Sequence, residues 1–192
     1  MIRPRASNCL ARASRPKNSP FSGEKLTLHG LGCYDTNGAL RNSSGDNRYN
    51  GPIELGLSSL VYSAATGNTL TLGTHGSAFA LSNNGHTLIL DGPGAIQIET
   101  DMAGSGGVIK RGDGTTVFFT VSNRYTGTTR IEAGTLILSN DNTQAAGDYV
   151  VGDGAGADVL RLGRAGQIGD VANVAVSNSG LFDLNGYNET IS

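Results

Sequence analysis

Apolar residues in this chain recur in pairs two positions apart, each pair closed within two residues by Gly or Asn: Leu26 with Leu28, Leu70 with Leu72, Leu88 with Leu90, Leu136 with Leu138, Leu160 with Leu162, and Phe182 with Leu184. Residues two apart on a strand point to the same side, so each pair marks a short strand with one face turned inward and the intervening residue turned out. The pairs begin at positions 26, 70, 88, 136, 160 and 182, giving intervals of 44, 18, 48, 24 and 22. Those intervals lie near one or two multiples of about 18 to 24, the length of a coil made from three short strands and three bends, within the range of repeat architectures. Helical periodicity is nearly absent. The best window, Ala145 to Ala157, is interrupted by Gly and β-branched residues. The pattern therefore predicts an all-β stack of coils over residues 21–192, with seven to nine rungs and a leucine-rich interior. The last residues, Asn185 to Ser192, offer no polar cap, so the stack is expected to be a portion of a longer solenoid.

A longer recurrence runs alongside the pairs. Asn47-Arg48-Tyr49-Asn50-Gly51 returns further along as Asn123-Arg124-Tyr125-Thr126-Gly127. The expected role of this string is architectural: Asn bonds local backbone, Tyr lays its ring over the bend with its hydroxyl in water, and Gly takes the corner. On this reading Tyr49 and Tyr125 are equivalent scaffold positions. Gly is 29 of 192 residues, about twice the usual share, and it clusters between strands, as at Gly104, Gly106, Gly107, Gly112 and Gly114.

Charge divides the chain unevenly. Residues 1–20 carry Arg3, Arg5, Arg12, Arg15 and Lys17 and no acid, whereas the remainder holds 9 bases and 16 acids. A body with a net charge of -7 does not suit nucleic acid, which is bound by clustered Lys and Arg. The Pro-containing basic start, residues 1–20, reads as a disordered leader or a misassigned start, and it lacks the apolar run of a secretory signal. No segment has the run of apolar residues that a membrane helix needs. Cys9 and Cys33 leave a disulfide open. His29, His75 and His86 are scattered, with no zinc-ligand spacing to the cysteines, and read as isolated bend or surface histidines.

Chemistry-like strings are few. Tyr149 to Ala157 has the glycines of a dinucleotide loop but opens no helix to meet a pyrophosphate. Asp153 and Asp158 are weak calcium candidates: Gly154-x-Gly156-x-Asp158 resembles one calcium-binding turn, which needs tandem copies to supply six to eight oxygens. No other metal ligand set, no catalytic residue and no cofactor site is expected. Some parallel β-helices cleave acidic polysaccharides, so a lyase or hydrolase fragment using Asp101, Asp113 or Glu132 is one alternative. A second is an adhesin-like module that binds glycans or a host surface through outward Thr, Asn and Ser. Outward aromatics and acids gathered on one face would favour binding, and their scatter a spacer.

One stretch carries a family likeness. Gly112-Asp113-Gly114-Thr115 followed by Asn123-Arg124-Tyr125-Thr126-Gly127-Thr128-Thr129-Arg130-Ile131-Glu132-Ala133-Gly134-Thr135-Leu136 resembles the autotransporter-associated beta strand repeat, also described as the passenger-associated transport repeat. Lys110 stands where a lysine is common before that motif. The likeness extends more thinly over residues 39–192, with Asn47, Tyr49 and Gly51 in a related rung. Thr116-Val117-Phe118-Phe119 and Pro52 depart from the pattern. The resemblance implies a right-handed, single-stranded parallel β-helix whose structural residues are Gly112, Gly114, Thr115, Asn123, Tyr125, Gly127, Thr129, Ile131, Gly134, Leu136 and Leu138, with Asn47, Tyr49 and Gly51. It further implies a stalk segment of a bacterial exported passenger at the surface of a Gram-negative-type cell. Its partners would be the remainder of the passenger and a β-barrel translocator.

Overall fold

Short strands with one apolar face cannot bury that face alone, and glycine-rich corners bring each next strand directly over an earlier one. The computed structural model describes residues 24–32, 38–77, 80–142 and 147–192. Within them the chain winds into seven tiers. The first tier holds β1 (Leu26–Leu28), β2 (Leu40–Asn42) and β3 (Asn47–Tyr49). The second holds β4 (Ile53–Leu55), β5 (Ser59–Ser63) and β6 (Thr69–Leu72), and the third β7 (Ala80–Ser82), β8 (Leu88–Asp91) and β9 (Ala95–Ile98). The fourth has β10 (Asp101–Gly104), β11 (Val108–Lys110) and β12 (Thr115–Phe118), and the fifth β13 (Arg124–Tyr125), β14 (Thr129–Ile131) and β15 (Gly134–Leu138). Two strands remain in the sixth, β16 (Tyr149–Val151) and β17 (Asp158–Leu162), and in the seventh, β18 (Val174–Val176) and β19 (Gly180–Asp183).

Equivalent strands of successive tiers pair in parallel and form three sheets. The first is β1-β4-β7-β10-β13, the second runs from β2 to β18, and the third from β3 to β19. This is a right-handed, single-stranded parallel β-helix, the hand that parallel crossovers take. Above β13 the first wall has no strand among the described residues; Ile168 and Ala172, both buried, lie in the core between β17 and β18.

Register makes the core a set of columns. In the third sheet, Leu70, Ile96, Thr116, Leu136, Leu160 and Phe182 lie one above another, beside Tyr49, Leu72, Ile98, Phe118, Leu138 and Leu162. Each fully buried Leu or Ile there contributes about 1.5–3 kcal/mol. The inward parity expected of the leucine pairs holds for Leu70 with Leu72, Leu88 with Leu90, Leu136 with Leu138, and Leu160 with Leu162, all buried. It fails at the last pair, where Leu184 is exposed because no further tier covers it.

Two sequence expectations need correction. The pairs do not all belong to one column: Leu26 is in the first sheet, Leu88 in the second, and Leu70, Leu136, Leu160 and Phe182 in the third. The intervals of 44, 18 and 48 are therefore not whole coils. Likewise Tyr49 and Tyr125 are not equivalent. Tyr49 ends β3 in the third sheet, and three steps above it stands Phe118, whereas Tyr125 ends β13 in the first sheet. Bends of unequal length shift the phase: Leu26 to Ile53 is one complete coil, and so is the distinctly shorter path from Leu88 to Val108. Cys9, Cys33, the leader at 1–20 and the start of the 145–157 window lie outside the described residues; Tyr149–Val151 within that window is strand.

Candidate functional site

The regular part of the stack is where the motif residues gather. Leu88 pairs with Val108, Val108 with Thr129 and Thr129 with Tyr149, so successive coils here are nearly equal in length. At the corner between the second and third sheets, Gly112, Gly114 and Gly134 pack onto the tier beneath. A Cβ at Gly114 would run into the carbonyl oxygen of Gly94, and one at Gly134 would stand 2.5 Å from that of Gly112. Gly112 and Gly134 also have φ of 68° and 69°, which side chains rarely adopt. Gly127 does the same at the corner between the first and second sheets, where a Cβ would strike the Gly106 carbonyl. Tiers about 4.8 Å apart leave no room there for a side chain directed along the stack.

Lys110 sits in the inward column between Leu90 and Ile131 and is 2% exposed. Its Nζ donates to the carbonyl oxygens of Arg111 at 2.7 Å, Gly112 at 2.6 Å and Ala133 at 2.9 Å. All three ammonium donors are thus used, and the third ties one tier to the next. Burial pulls the Lys110 pKa from 10.5 to about 8, against the opposing pull of Asp91, Asp113 and Asp158. Asp158 lies over Gly134, fully buried, and neither carboxylate oxygen has a hydrogen-bond partner among the described residues. The Lys110 charge is what offsets it electrostatically.

Tyr125 departs from the expectation of a wet hydroxyl. Its ring is buried edge-on to Phe118, with centroids 6.4 Å apart, and its Oη is 2.7 Å from Thr129 Oγ1. Burial pushes its pKa up to about 12, and that of Tyr149, one tier above Thr129, well above 10.0. The first sheet turns its strand ends into the core, whereas an edge position would have left the phenol in water. Asn123, also buried, accepts the Met102 amide at 3.0 Å. Ile131, Leu136 and Leu138 are fully buried, and Thr115 faces out beside Thr135. In the first tier, Asn47 Nδ2 donates to Asn42 Oδ1 at 2.7 Å, and Tyr49 Oη to the Glu24 carbonyl at 2.5 Å. Gly51 is bare at that point because a Cβ would overlap the same carbonyl. Pro52 falls in the bend before β4, where its carbonyl accepts the Leu26 amide at 2.9 Å.

A buried polar ladder escaped sequence reasoning. At the corner leaving the third sheet, Asn140 Oδ1 accepts the Thr120 amide at 3.2 Å, Gln167 Oε1 accepts the Asn140 amide at 2.7 Å, and Glu189 Oε2 accepts the Gln167 amide at 2.7 Å. Each side chain satisfies a donor of the tier below. The available signal was the evenly spaced run of polar residues Thr100, Thr120 and Asn140. His75 is not isolated either. Its ring stacks on Phe119 at 4.6 Å, its Nε2 is 3.1 Å from Asp141, and Arg164 pairs with the same carboxylate at 2.5 Å.

The remaining candidates are dispersed. Asp153 is exposed and accepts the Ala155 amide at 2.9 Å, while Asp158 points into the core, so the two are not brought together as calcium ligands. Asp101 lies on the first sheet, Asp113 at a corner, and Glu132 pairs with Arg111 at 2.8 Å.

The stacked glycines, the tier-bridging lysine and the buried Asn and Tyr coincide with a known repeat. The family model described as Passenger-associated-transport-repeat matches residues 108–138 and 133–150. Over those residues the chain is similar to the passenger-associated transport repeat. The two matched stretches cover β11 to β16, the part of the stack whose coils keep a nearly constant length. No curated protein and no solved structure matches the chain. The described residues form a structural, repeat-based solenoid domain that carries this repeat in its regular part.

Proposed function

We propose that the chain is a stalk segment in the passenger of a protein exported to the surface of a Gram-negative-type bacterium, where it supports secretion and extracellular folding without catalysis of its own. Residues 21–192 form the stalk and residues 1–20 a leader, and a β-barrel translocator is the partner in export. The observation that carries this reading is the column register. Each strand pairs only with the strands of the tiers above and below, so the backbone ladder of a coil is completed as soon as its own residues have emerged, and each finished coil templates the next. Outward acids and aromatics are scattered around the stack: Glu54 on the first wall, Tyr62 and Asp91 on the second, Phe119 beyond the third. That scatter favours a spacer over a binding face.

The test places residues 1–192 between a signal segment and an outer-membrane barrel and measures accessibility to added protease on intact cells. Surface exposure is expected, with a marked loss for a Leu136→Asp/Leu138→Asp variant that cannot stack. Intracellular retention of the unaltered chain would overturn the proposal. Reading the flanking DNA for a signal upstream and a barrel downstream provides a second check.

A further inference from the structure

Strand pairing joins each tier only to its neighbours, but the bend that follows β6 reaches further. It leaves the second tier at Gly73, whose amide donates to the Tyr49 carbonyl of the first tier at 2.7 Å, and two residues later it carries His75. The His75 amide donates to Glu99 Oε2, next to β9 in the third tier, at 3.4 Å. The imidazole stacks on Phe119, next to β12 in the fourth tier, with ring centroids 4.6 Å apart. Its Nε2 stands 3.1 Å from Asp141 Oδ2, beyond β15 in the fifth tier, without the alignment of a hydrogen bond. One side chain thus reaches three tiers past its own, about 14 Å along the stack.

Other side chains continue the row in both directions. Arg164, beyond β17 in the sixth tier, pairs with Asp141 at 2.5 Å and lays its guanidinium over the Phe119 ring, 5.6 Å from the centroid. Towards the first tier, Arg48 on β3 pairs with Glu99 at 2.5 Å and donates to the Gly73 carbonyl at 2.6 Å. Exposed ion pairs are weak singly, but charges that form a network count for more, and here a stacked ring with a cation over its face fixes their geometry. Separating the fifth and sixth tiers from the second therefore breaks contacts that no ladder between adjacent tiers contains.

We propose that the bend after β6 is a latch: through His75 and Asp141 it ties the second tier directly to the fifth and sixth, so that tiers two to six open as one unit although each strand is paired only with the next tier. The latch closes only when all of these tiers are in place. It goes beyond the stalk reading and does not rest on it.

Native-state hydrogen exchange on the full chain measures this coupling at a distance. His75→Ala is expected to speed exchange roughly tenfold in β15 and β17, three and four tiers from the substituted bend. Asp141→Ala is expected to speed it by a similar factor in β6. In β17 the double variant should exchange no faster than the more affected single variant, because both substitutions undo the same contact. Thr74→Ala is the control: it removes a bond from Thr74 Oγ1 to Asn50 Oδ1 at 3.0 Å, beside His75 in sequence but directed at the first tier, and should leave β15 and β17 unchanged. Circular dichroism verifies that each variant is folded. Unchanged exchange in β15 and β17 for His75→Ala, unchanged exchange in β6 for Asp141→Ala, additive effects in the double variant, or a Thr74→Ala effect on β15 and β17 as large as that of His75→Ala would overturn the proposal.

Discussion

A lysine inside a leucine column makes pH the most direct probe of a single residue in this protein. Lys110 has a folded pKa of about 8 against an ordinary 10.5. Between those values the unfolded chain holds a proton that the folded chain has released, so stability rises with pH across this window, and the burial cost is fully present below it. Tyr125 works in the opposite sense. Its folded pKa of about 12 exceeds the ordinary 10.0, so the unfolded chain loses the proton first and stability falls as pH climbs beyond that. Urea titrations are expected to show a gain on the order of 2 kcal/mol from pH 8 to 10 and a decline above it. Lys110→Met should remove the gain, and Tyr125→Phe should soften the decline. The corner glycines give a second test at this scale. Gly114→Ala, whose Cβ would meet the Gly94 carbonyl, should cost roughly 3 kcal/mol. Gly67→Ala, where φ is 80° but no atom lies within 4 Å, should cost only about 1–2 kcal/mol. Equal losses in urea melts would show that backbone strain, and not contact with the tier beneath, governs the corners.

At the scale of the strand, the columns are uneven in chemistry, and the unevenness has consequences. Thr116 on β12 lies between Ile96 and Leu136 with its Oγ1 buried and without a hydrogen-bond partner among the described residues. This buried hydroxyl loses its water and gains nothing. Thr116→Val, nearly the same shape, is expected to stabilise the protein by about 1 kcal/mol, read as a raised midpoint of chemical unfolding. A lower midpoint would mean that the hydroxyl has a partner. The Thr120, Asn140 and Gln167 ladder shows the opposite arrangement: equally buried polar groups, each bonded to a neighbouring tier. The strand's own sequence does not distinguish these two cases, because the difference lies in what the adjacent tier presents.

The whole molecule is a one-dimensional stack, so its stability should be graded along its length. β8, β11, β12, β14 and β15 are paired on both sides, whereas β18 and β19 have one neighbour each and carry exposed Val176 and Leu181, with Leu184 just beyond. Hydrogen exchange is expected to be roughly 100-fold slower in the former group than in the latter. Uniform exchange from end to end would indicate that the stack opens only as a unit. The same grading suits a stalk, since a coil gains most of its stability when the next one covers it.

The alternation of leucines along the chain determined, without any coordinates, that the strands are short, that one face is buried, and that glycine marks the bends. Parity is a local property, set by two consecutive Cβ directions, so Leu70 with Leu72 or Leu136 with Leu138 was legible. The repeat motif around Gly112, Asn123 and Gly134 was legible for a related reason, because bends that must clear a neighbouring backbone tolerate few residues. Only the tertiary structure decided which wall each strand joins. Bends of unequal length accumulate phase along the chain, and for that reason Tyr49 and Tyr125, alike in sequence, stand in different sheets. It alone decided that Lys110 is buried, since its three acceptors are carbonyl groups on two tiers, and a lone strand contains no trace of the tier that will be laid upon it.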